Sequence, residues 1–291
     1  MMGQLLASQF FYNWRRNLSA VVGSGIILAC VLIVLFGPLI APQDPYDLTQ
    51  LNLLDSYKPP AWLEGGDPRY LLGTDGQGRD VLSAILYGTR VSAMIGVAAM
   101  LTACVIGTTL GLLAGFYGGR LDAAIMRVAD VQLSFPSMLI ALFLMSAFGT
   151  GIDKVLIALT LVGWVVYART VRGSTLGEIQ KEYVQAARVA GLRDAKIIRR
   201  HVLPNVLTPL IVIATVQVGT FVLIEASLSF LGVGVPITQP SLGLLIKNGF
   251  DVLFSGLWWT SVFPGLMIMA MVFGINLFGD FLRDELNPRL K

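Results

Sequence analysis

Apolar positions in this chain come in long unbroken blocks, and charges are confined to the gaps between them. Residues 18–41, 91–119, 131–152, 155–168, 202–224, 226–246 and 252–279 contain no Asp, Glu, Lys or Arg. A bilayer core takes about 20 apolar residues per helix, within a range of roughly 17–25. Backbone amides cannot stay unpaired in lipid, so blocks of this kind predict helices. The block 226–246 is the exception, because Gly232, Gly234, Pro236, Pro240 and Gly243 make "GVGVPITQPSLG" a poor helix. It reads as part of an outer loop at 232–256, which leaves about six transmembrane helices in an all-α integral membrane protein.

Composition supports this reading. Hydrophobic residues make up 55% of the 291 and charged residues only 13%, with a mean hydropathy of +0.72. A soluble globular domain carries about 25% charged residues. Arg15 and Arg16 precede the first block as they would in a signal peptide. That block is far longer than a signal h-region of roughly 7–15 residues, and Pro42 follows Ala41. It therefore reads as a retained span at 21–41 after a cytoplasmic segment at 1–20. Cys30 and Cys104 fall inside predicted spans and read as small apolar residues, with no disulfide framework. Nothing in the charge pattern suggests nucleic-acid binding.

Charge also orients the chain, since Lys and Arg collect on the cytoplasmic side. Arg15, Arg16, Arg120, Arg127, the stretch from Arg169 to His201, Arg283, Arg289 and Lys291 all fall on one side. The segment 42–90 falls on the other. Its Lys58, Arg69, Arg79 and Arg90 are outnumbered by Asp44, Asp47, Asp55, Glu64, Asp67, Asp75 and Asp80. Both termini are thus expected inside, with an outer loop at 42–90 and a five-helix core at 91–283. The core holds a cytoplasmic loop at 173–204, and a tail follows at 284–291.

That cytoplasmic loop carries the most informative stretch, "EYVQAARVAGLRDAKIIRRHVLPN" at 182–205. Ile179, Tyr183, Ala186, Ala187 and Ala190 recur at helical spacing, and Gly191 is a natural helix-ending residue. A second short helix is expected from Asp194 as N-cap, with Ala195, Ile198 and Val202 on one side. Pro204 then falls in the first turn of the next span. An interfacial helix with its cations on lipid headgroups would account for the charge. The smooth face of Ala186, Ala187 and Gly191 suits close docking on another protein better than burial in lipid.

"QAARVAG" followed by Leu203 and Pro204 resembles the EAA loop of permease subunits in bacterial ABC importers. "LLGTDGQGRDVLSAILYGTRVS", "GFYGGRLDAAIMRVADVQLSFPSMLIA", "RHVLPN", "IEASLSFLGVG" and "NLFGDFLRDELNPRL" resemble the second permease subunit of dipeptide, oligopeptide and nickel importers. The resemblance implies a type I ABC importer permease fold in a bacterial inner membrane. It further implies an ATPase-coupling loop of Glu182, Gln185, Ala186, Ala187, Arg188, Gly191, Leu192, Arg193, His201, Leu203 and Pro204. The implied partners are a homologous second permease, two cytoplasmic ATPase subunits, an extracytoplasmic solute-binding protein and the lipid bilayer. Gln185 stands where Glu is common and His201 where a branched apolar residue is common. Ala84, Leu242 and Asn287 also depart from the subfamily pattern, which bears on the solute and not on the class.

No G-x-x-x-x-G-K-[ST] loop occurs in the chain. "GTDGQG" reads as turns before a helix starting near Arg79. The implication is that the chain is not itself an enzyme, and that ATP and Mg belong to the partner ATPases. His201 is the lone histidine, without further ligands nearby for a metal. Glu225 interrupts a long uncharged run and, with Ser229 one turn on, reads as an outer-gate element or a solute contact. Gly107, Gly111 and Gly115 share one helical face and read as packing. Asp122, Arg127 and Asp130 read as helix-end charges or as ATPase contacts. An ion-gradient-driven secondary transporter is the alternative class. It would call for internal repeats and intramembrane acids, of which Glu225 alone lies deep in an apolar run.

Overall fold

The computed structural model describes residues 10–47, 49, 51–236 and 238–286. The segment 1–9 and the tail from Asn287 onward lie outside the described residues. Helix α1 (Leu18–Ile40) starts where the Asn17 side chain accepts the Ala20 amide at 3.1 Å. Helix α2 (Val81–Tyr117) is capped by Asp80, which accepts the Ser83 amide at 2.8 Å, and it ends at Gly118 with φ +63°. There follow α3 (Gly119–Leu133), α4 (Ser137–Phe148), α5 (Ile152–Glu178), α6 (Glu182–Val189) and α7 (Asp194–Ile197). A π-helical turn at Ile198–Val202 leads into α8 (Leu203–Phe230), and α9 (Leu242–Phe250) and α10 (Trp259–Leu286) follow.

Among the described residues, five helical stretches are long and apolar enough to cross a membrane, and the bent pair α3–α4 makes a sixth if it is one broken span. The block 131–152 is thus not one helix. Its two halves meet at 90° across residues 134–136. Pro136 has no amide to donate and disfavours helical backbone at Phe135, which accounts for the break. Helix α2 begins at Val81, well before its uncharged block. The Asp80 cap and the burial of Val81, Ala84 and Ile85 against α9 and α10 keep those outer turns helical. The stretch 232–256 is not loop throughout either. Ser241 caps α9, and Gly243 lets it lie directly on the α8 backbone at Ala226.

At the centre of the bundle α2 and α5 run in close contact. A Cβ at Gly111 would stand 2.9 Å from the Val171 Cβ, and one at Gly115 would stand 2.7 Å from the Thr175 Cβ. At Gly107 it would meet the Trp164 carbonyl, so the small-residue face is a packing seam, as its spacing predicts. The Thr102 and Thr160 hydroxyls share a 2.6 Å hydrogen bond across the same seam. Phe221, Leu228 and Leu210 of α8 complete this core, while Cys30, Ile85, Leu242, Trp259 and Ile268 form a second one where α1, α2, α9 and α10 meet. Helix α5 continues inward past Arg169 and Arg172 because both are paired, with Asp130 and Asp122 of α3.

Candidate functional site

The inner end of the bundle carries the residues expected to form the coupling loop, on two short helices. Helix α6 starts at Glu182, and Ile179 belongs to the end of α5, apart from the α6 residues with which the periodicity groups it. Val184 and Ala187 are buried, and Tyr183, Ala186 and Ala190 are exposed. In α7 and the π turn, Ile197 and Val202 are buried, Ile198 is half-buried and Ala195 is exposed. Arg193, not Asp194, takes the N-cap position of α7. The α6 helix ends at Gly191, whose φ of +73° suits glycine and few other residues. Nothing lies within 4 Å of where its Cβ would be.

Several contacts hold this unit to the bundle. The Arg188 guanidinium sits 5.0 Å from the centre of the Phe116 ring at the inner end of α2. Gln185 Nε2 donates to the Ile179 carbonyl at 2.7 Å, while within the unit the Leu192 amide donates to the Ala187 carbonyl at 3.2 Å. Asn205 Nδ2, in the first turns of α8, donates both to the Tyr183 hydroxyl (3.1 Å) and to the His201 carbonyl (2.7 Å). Glu182, Ala186, Val189, Arg193 and Pro204 remain exposed, with Val189 90% so; Leu203 is half-buried as the first residue of α8. The result is a platform of small and aliphatic side chains between Glu182 and Arg193, seated on a buried apolar underside.

The outer end is covered by the segment 42–80. Asp55 is its hub. Lys58 Nζ lies 2.5 Å from Asp55 Oδ1, and the Tyr70 hydroxyl donates to Oδ2 at 3.0 Å. Arg69 pairs with Asp67 at 2.6 Å, and the Trp259 indole donates to the Thr74 carbonyl, which ties the cap to α10. The Lys58 ammonium and the Tyr70 hydroxyl hold the Asp55 carboxyl below its ordinary range, and the Arg69 guanidinium does the same for Asp67. Asp55 in turn raises the Lys58 amine. The "GTDGQG" residues form turns with positive φ at Gly73 and Gly78. A cavity of about 330 Å³ opens between this cap and α9–α10, lined by polar groups that include Tyr57, Asp75, Arg79 and Asp251.

Glu225 and Ser229 sit between these ends, nearer the outer one, and both are fully buried. Ser229 Oγ donates to Glu225 Oε1 at 2.7 Å and accepts the Val235 amide at 3.2 Å. The two side chains thus join α8 to the loop that follows it. Neither presents an atom at the surface of the chain. Among the described residues no three His, Cys, Asp or Glu side chains come together as a metal site.

Residues 107–291 match the family described as "Binding-protein-dependent transport system inner membrane component". The chain belongs to this family. Residues 6–60 also match the "N-terminal TM domain of oligopeptide transport permease C". Curated relatives of this inner membrane component include the dipeptide transport system permease protein DppC of Haemophilus influenzae, 38% identical over 97% of this chain and 95% of that protein. The DppC of Escherichia coli K12 is 41% identical, over 97% and 93%. The oligopeptide transport system permease protein OppC of Bacillus subtilis is 37% identical, over 96% and 88%. Among solved structures, the inward-facing MetNI methionine ABC transporter aligns with a TM-score of 0.57 at 20% identity, covering 69% of this chain and 96% of that one. At that identity the likeness concerns the fold alone.

For a multi-pass inner membrane component, the contacts that sequence reasoning missed are those that link distant segments. Asp122 and Asp130 are neither local helix-end pairs nor free cytoplasmic charges but partners of Arg172 and Arg169, 50 and 39 residues away. Tyr183 and Asn205, 22 residues apart, carry no local signal of their contact. Gly191 was visible because its conformational role is local.

Proposed function

We propose that this chain is one of two homologous permease subunits of an ATP-driven importer of dipeptides or other short peptides. The observation that carries the reading is the platform at the inner end. Its exposed small residues end at a left-handed glycine, and it rests on buried Val184, Ala187, Ile197 and Val202. Such a surface admits a partner at close range while its underside passes displacement to α2 and α8. In this reading two cytoplasmic ATPases bind ATP and Mg, an extracytoplasmic binding protein delivers the solute, and the second permease supplies the other half of the path. Nucleotide binding moves the platforms and switches which side is open, a two-state rocking of the alternating-access kind. The chain itself performs no covalent chemistry.

The peptide assignment draws on the relatives, which are named dipeptide and oligopeptide permeases and match nearly the whole chain. An ion-gradient mechanism would route a coupling ion past an intramembrane acid. Glu225 is sealed within the chain and is an unsuitable station for it.

The test is dipeptide-stimulated ATP hydrolysis by the co-purified complex with its binding protein in proteoliposomes. Gly191→Trp adds bulk to the platform at a backbone conformation costing roughly 1–2 kcal/mol for a non-glycine residue. Assembly is expected to survive while stimulated hydrolysis drops by about tenfold or more, which corresponds to ~1.4 kcal/mol. Unchanged coupling in this variant, or failure of any ATPase to co-purify with the wild type, would refute the assignment.

A further inference from the structure

The bent pair α3–α4 puts a break in regular backbone at the middle of the membrane. Its depth is read from α5. Gln132, in the last turn of α3, donates from Nε2 to the Val162 carbonyl at 2.9 Å and accepts the Trp164 indole N–H at 3.0 Å. Val162 lies about ten residues, roughly 15 Å, from the Ile152 end of α5. That is half of a hydrocarbon core of about 30 Å. The same end of α5 lies on the outer side. The Gly151 amide donates to the Gly234 carbonyl at 3.3 Å, and the loop holding Gly234 leads into α9, whose Leu242 amide bonds the Ser92 hydroxyl in the outer half of α2. Helices α3 and α4 therefore cross the bilayer together as one broken span.

At the break the backbone is under-satisfied. Pro136 has no amide, and it occupies the N-cap position of α4 without a side-chain cap. The Leu139 and Ile140 amides reach the Pro136 carbonyl, but those of Ser137 and Met138 have no acceptor among the described residues. Ser134, Phe135, Pro136 and Ser137 are all exposed on the surface of the chain. Irregular backbone at this depth does not face lipid; it persists where protein covers it or where it lines water.

We infer that the break at 134–137 lines the solute path, where water and then the peptide's own backbone satisfy the Ser137 and Met138 amides and the Ser137 hydroxyl. The inference rests on the importer reading above, which puts the path between two permeases. It also gives the lining a chemical character. Ser134 spends its proton on the Asp130 carbonyl at 3.0 Å and offers only its oxygen, and the Asp130 carboxylate is neutralised by Arg169. The break thus presents uncharged donors and acceptors, which match the amide groups that all peptides share and take no account of their side chains. Broken helices at the midplane serve solute binding in other transporter architectures as well.

The experiment is thiol labelling of the assembled complex in membranes. Cys30 and Cys104 are replaced by Ala, and single cysteines are introduced as Ser134→Cys, Ser137→Cys and, on the exposed face of α1, Leu35→Cys. The probe is a membrane-impermeant cationic methanethiosulfonate, which needs a thiolate and hence water around the sulfur. Labelling at 134 and 137 is expected at least ~tenfold faster than at 35, because burial in apolar surroundings suppresses the thiolate. Alanyl-alanine with its binding protein and ATP is expected to slow it. Labelling at 134 and 137 as slow as at 35, with and without nucleotide trapping, would overturn the inference, as would fast labelling that the dipeptide never slows. Dipeptide uptake by the cysteine-free complex is measured in parallel. Absent ATP-driven uptake refutes the importer reading, whereas intact uptake with unlabelled thiols refutes only the lining.

Discussion

At the outer end of the bundle, Asp55, Lys58, Asp67, Arg69, Tyr70 and Thr74 lock one another in place and are tied to α10 through Trp259. Nearby, Glu225 and Ser229 join α8 to the following loop in full burial, and α9 lies backbone to backbone on α8. At the inner end, α6 and α7 are short, and Val184, Ala187 and Ile197 are their buried residues. They hold to the bundle through Arg188 on Phe116, Asn205 on Tyr183 and a thin apolar underside. One end is a fixed frame that is costly to rearrange. The other is a small unit of two short helices, with a left-handed glycine between them and a π turn after them. Local stability is distributed this way when part of a protein has to move.

The largest effect should come from breaking the seam that joins the two ends. Gly111→Leu would drive a branched side chain into the Ala168 carbonyl and the Val171 Cβ, and both lie on a helix with no room to retreat. Overpacking of this kind costs about 3 kcal/mol or more where backbone stands in the way. The complex should lose assembly on size exclusion and most of its yield. Gly173, on the exposed side of α5, has nothing within 4 Å of its Cβ position, so Gly173→Leu should assemble like wild type. Equal behaviour of the two variants would dissolve the picture of a fixed α2–α5 frame.

An intermediate effect concerns the outer cap and its pH dependence. Asp55, held by Lys58 and Tyr70, and Asp67, held by Arg69, have lowered folded pKa values. Their contribution to cap stability is therefore complete above the ordinary aspartate pKa of about 3.9 and is lost as pH falls through the lowered values. Lys58, raised by Asp55, contributes fully below its ordinary pKa of about 10.4 and loses that contribution only as pH rises through the raised value. Between these limits Asp55, Asp67 and Lys58 keep their charges. Proteolysis within 53–80 should be constant from about pH 5 to 9, and pepsin should begin to cut there only below about pH 4. Opening of the cap between pH 5 and 7 would mean that other groups hold it.

Legibility in the sequence followed the range of the interaction. Spans could be located because lipid imposes the same demand on every stretch of an uncharged block, and Gly191 could be identified because helix termination is decided within a few residues. Errors arose where a distant partner decides the outcome. Helix α2 begins at Val81, close to the start near Arg79 that the turns of "GTDGQG" mark, but the outer loop does not run on to 90, because α9 and α10 bury the first turns of that helix. Helix α5 carries Arg169 and Arg172 because α3 supplies their acids. The break at 134–136 did have a local sign in Pro136, but uncharged composition alone made 131–152 look continuous. On α6, Tyr183, Ala186 and Ala190 of the periodic set are exposed while Ala187 is buried beside Val184, and periodicity alone does not tell that Ile179 closes the preceding helix.

The smallest effect, and the one that most sharpens the contrast between the two ends, concerns the tie between α6 and α8. Asn205→Ala removes both hydrogen bonds that link Tyr183 and the His201 carbonyl to the start of α8, while Tyr183→Phe removes only the hydroxyl. These groups are exposed, so each bond is worth about 0.5–1.5 kcal/mol net and its loss should not disturb assembly. A stiff tie passes the displacement of α6 into α8, whereas a slack one lets the platform move alone. The expected signature is peptide taken up per ATP hydrolysed falling by roughly two- to tenfold in Asn205→Ala, with basal hydrolysis unchanged and a smaller fall in Tyr183→Phe. If hydrolysis and uptake fall together, the residues support the platform's structure and not its connection to the span. If neither moves, α6 drives the bundle through Arg188 and Phe116, and the same measurement on Arg188→Ala should then show the uncoupling.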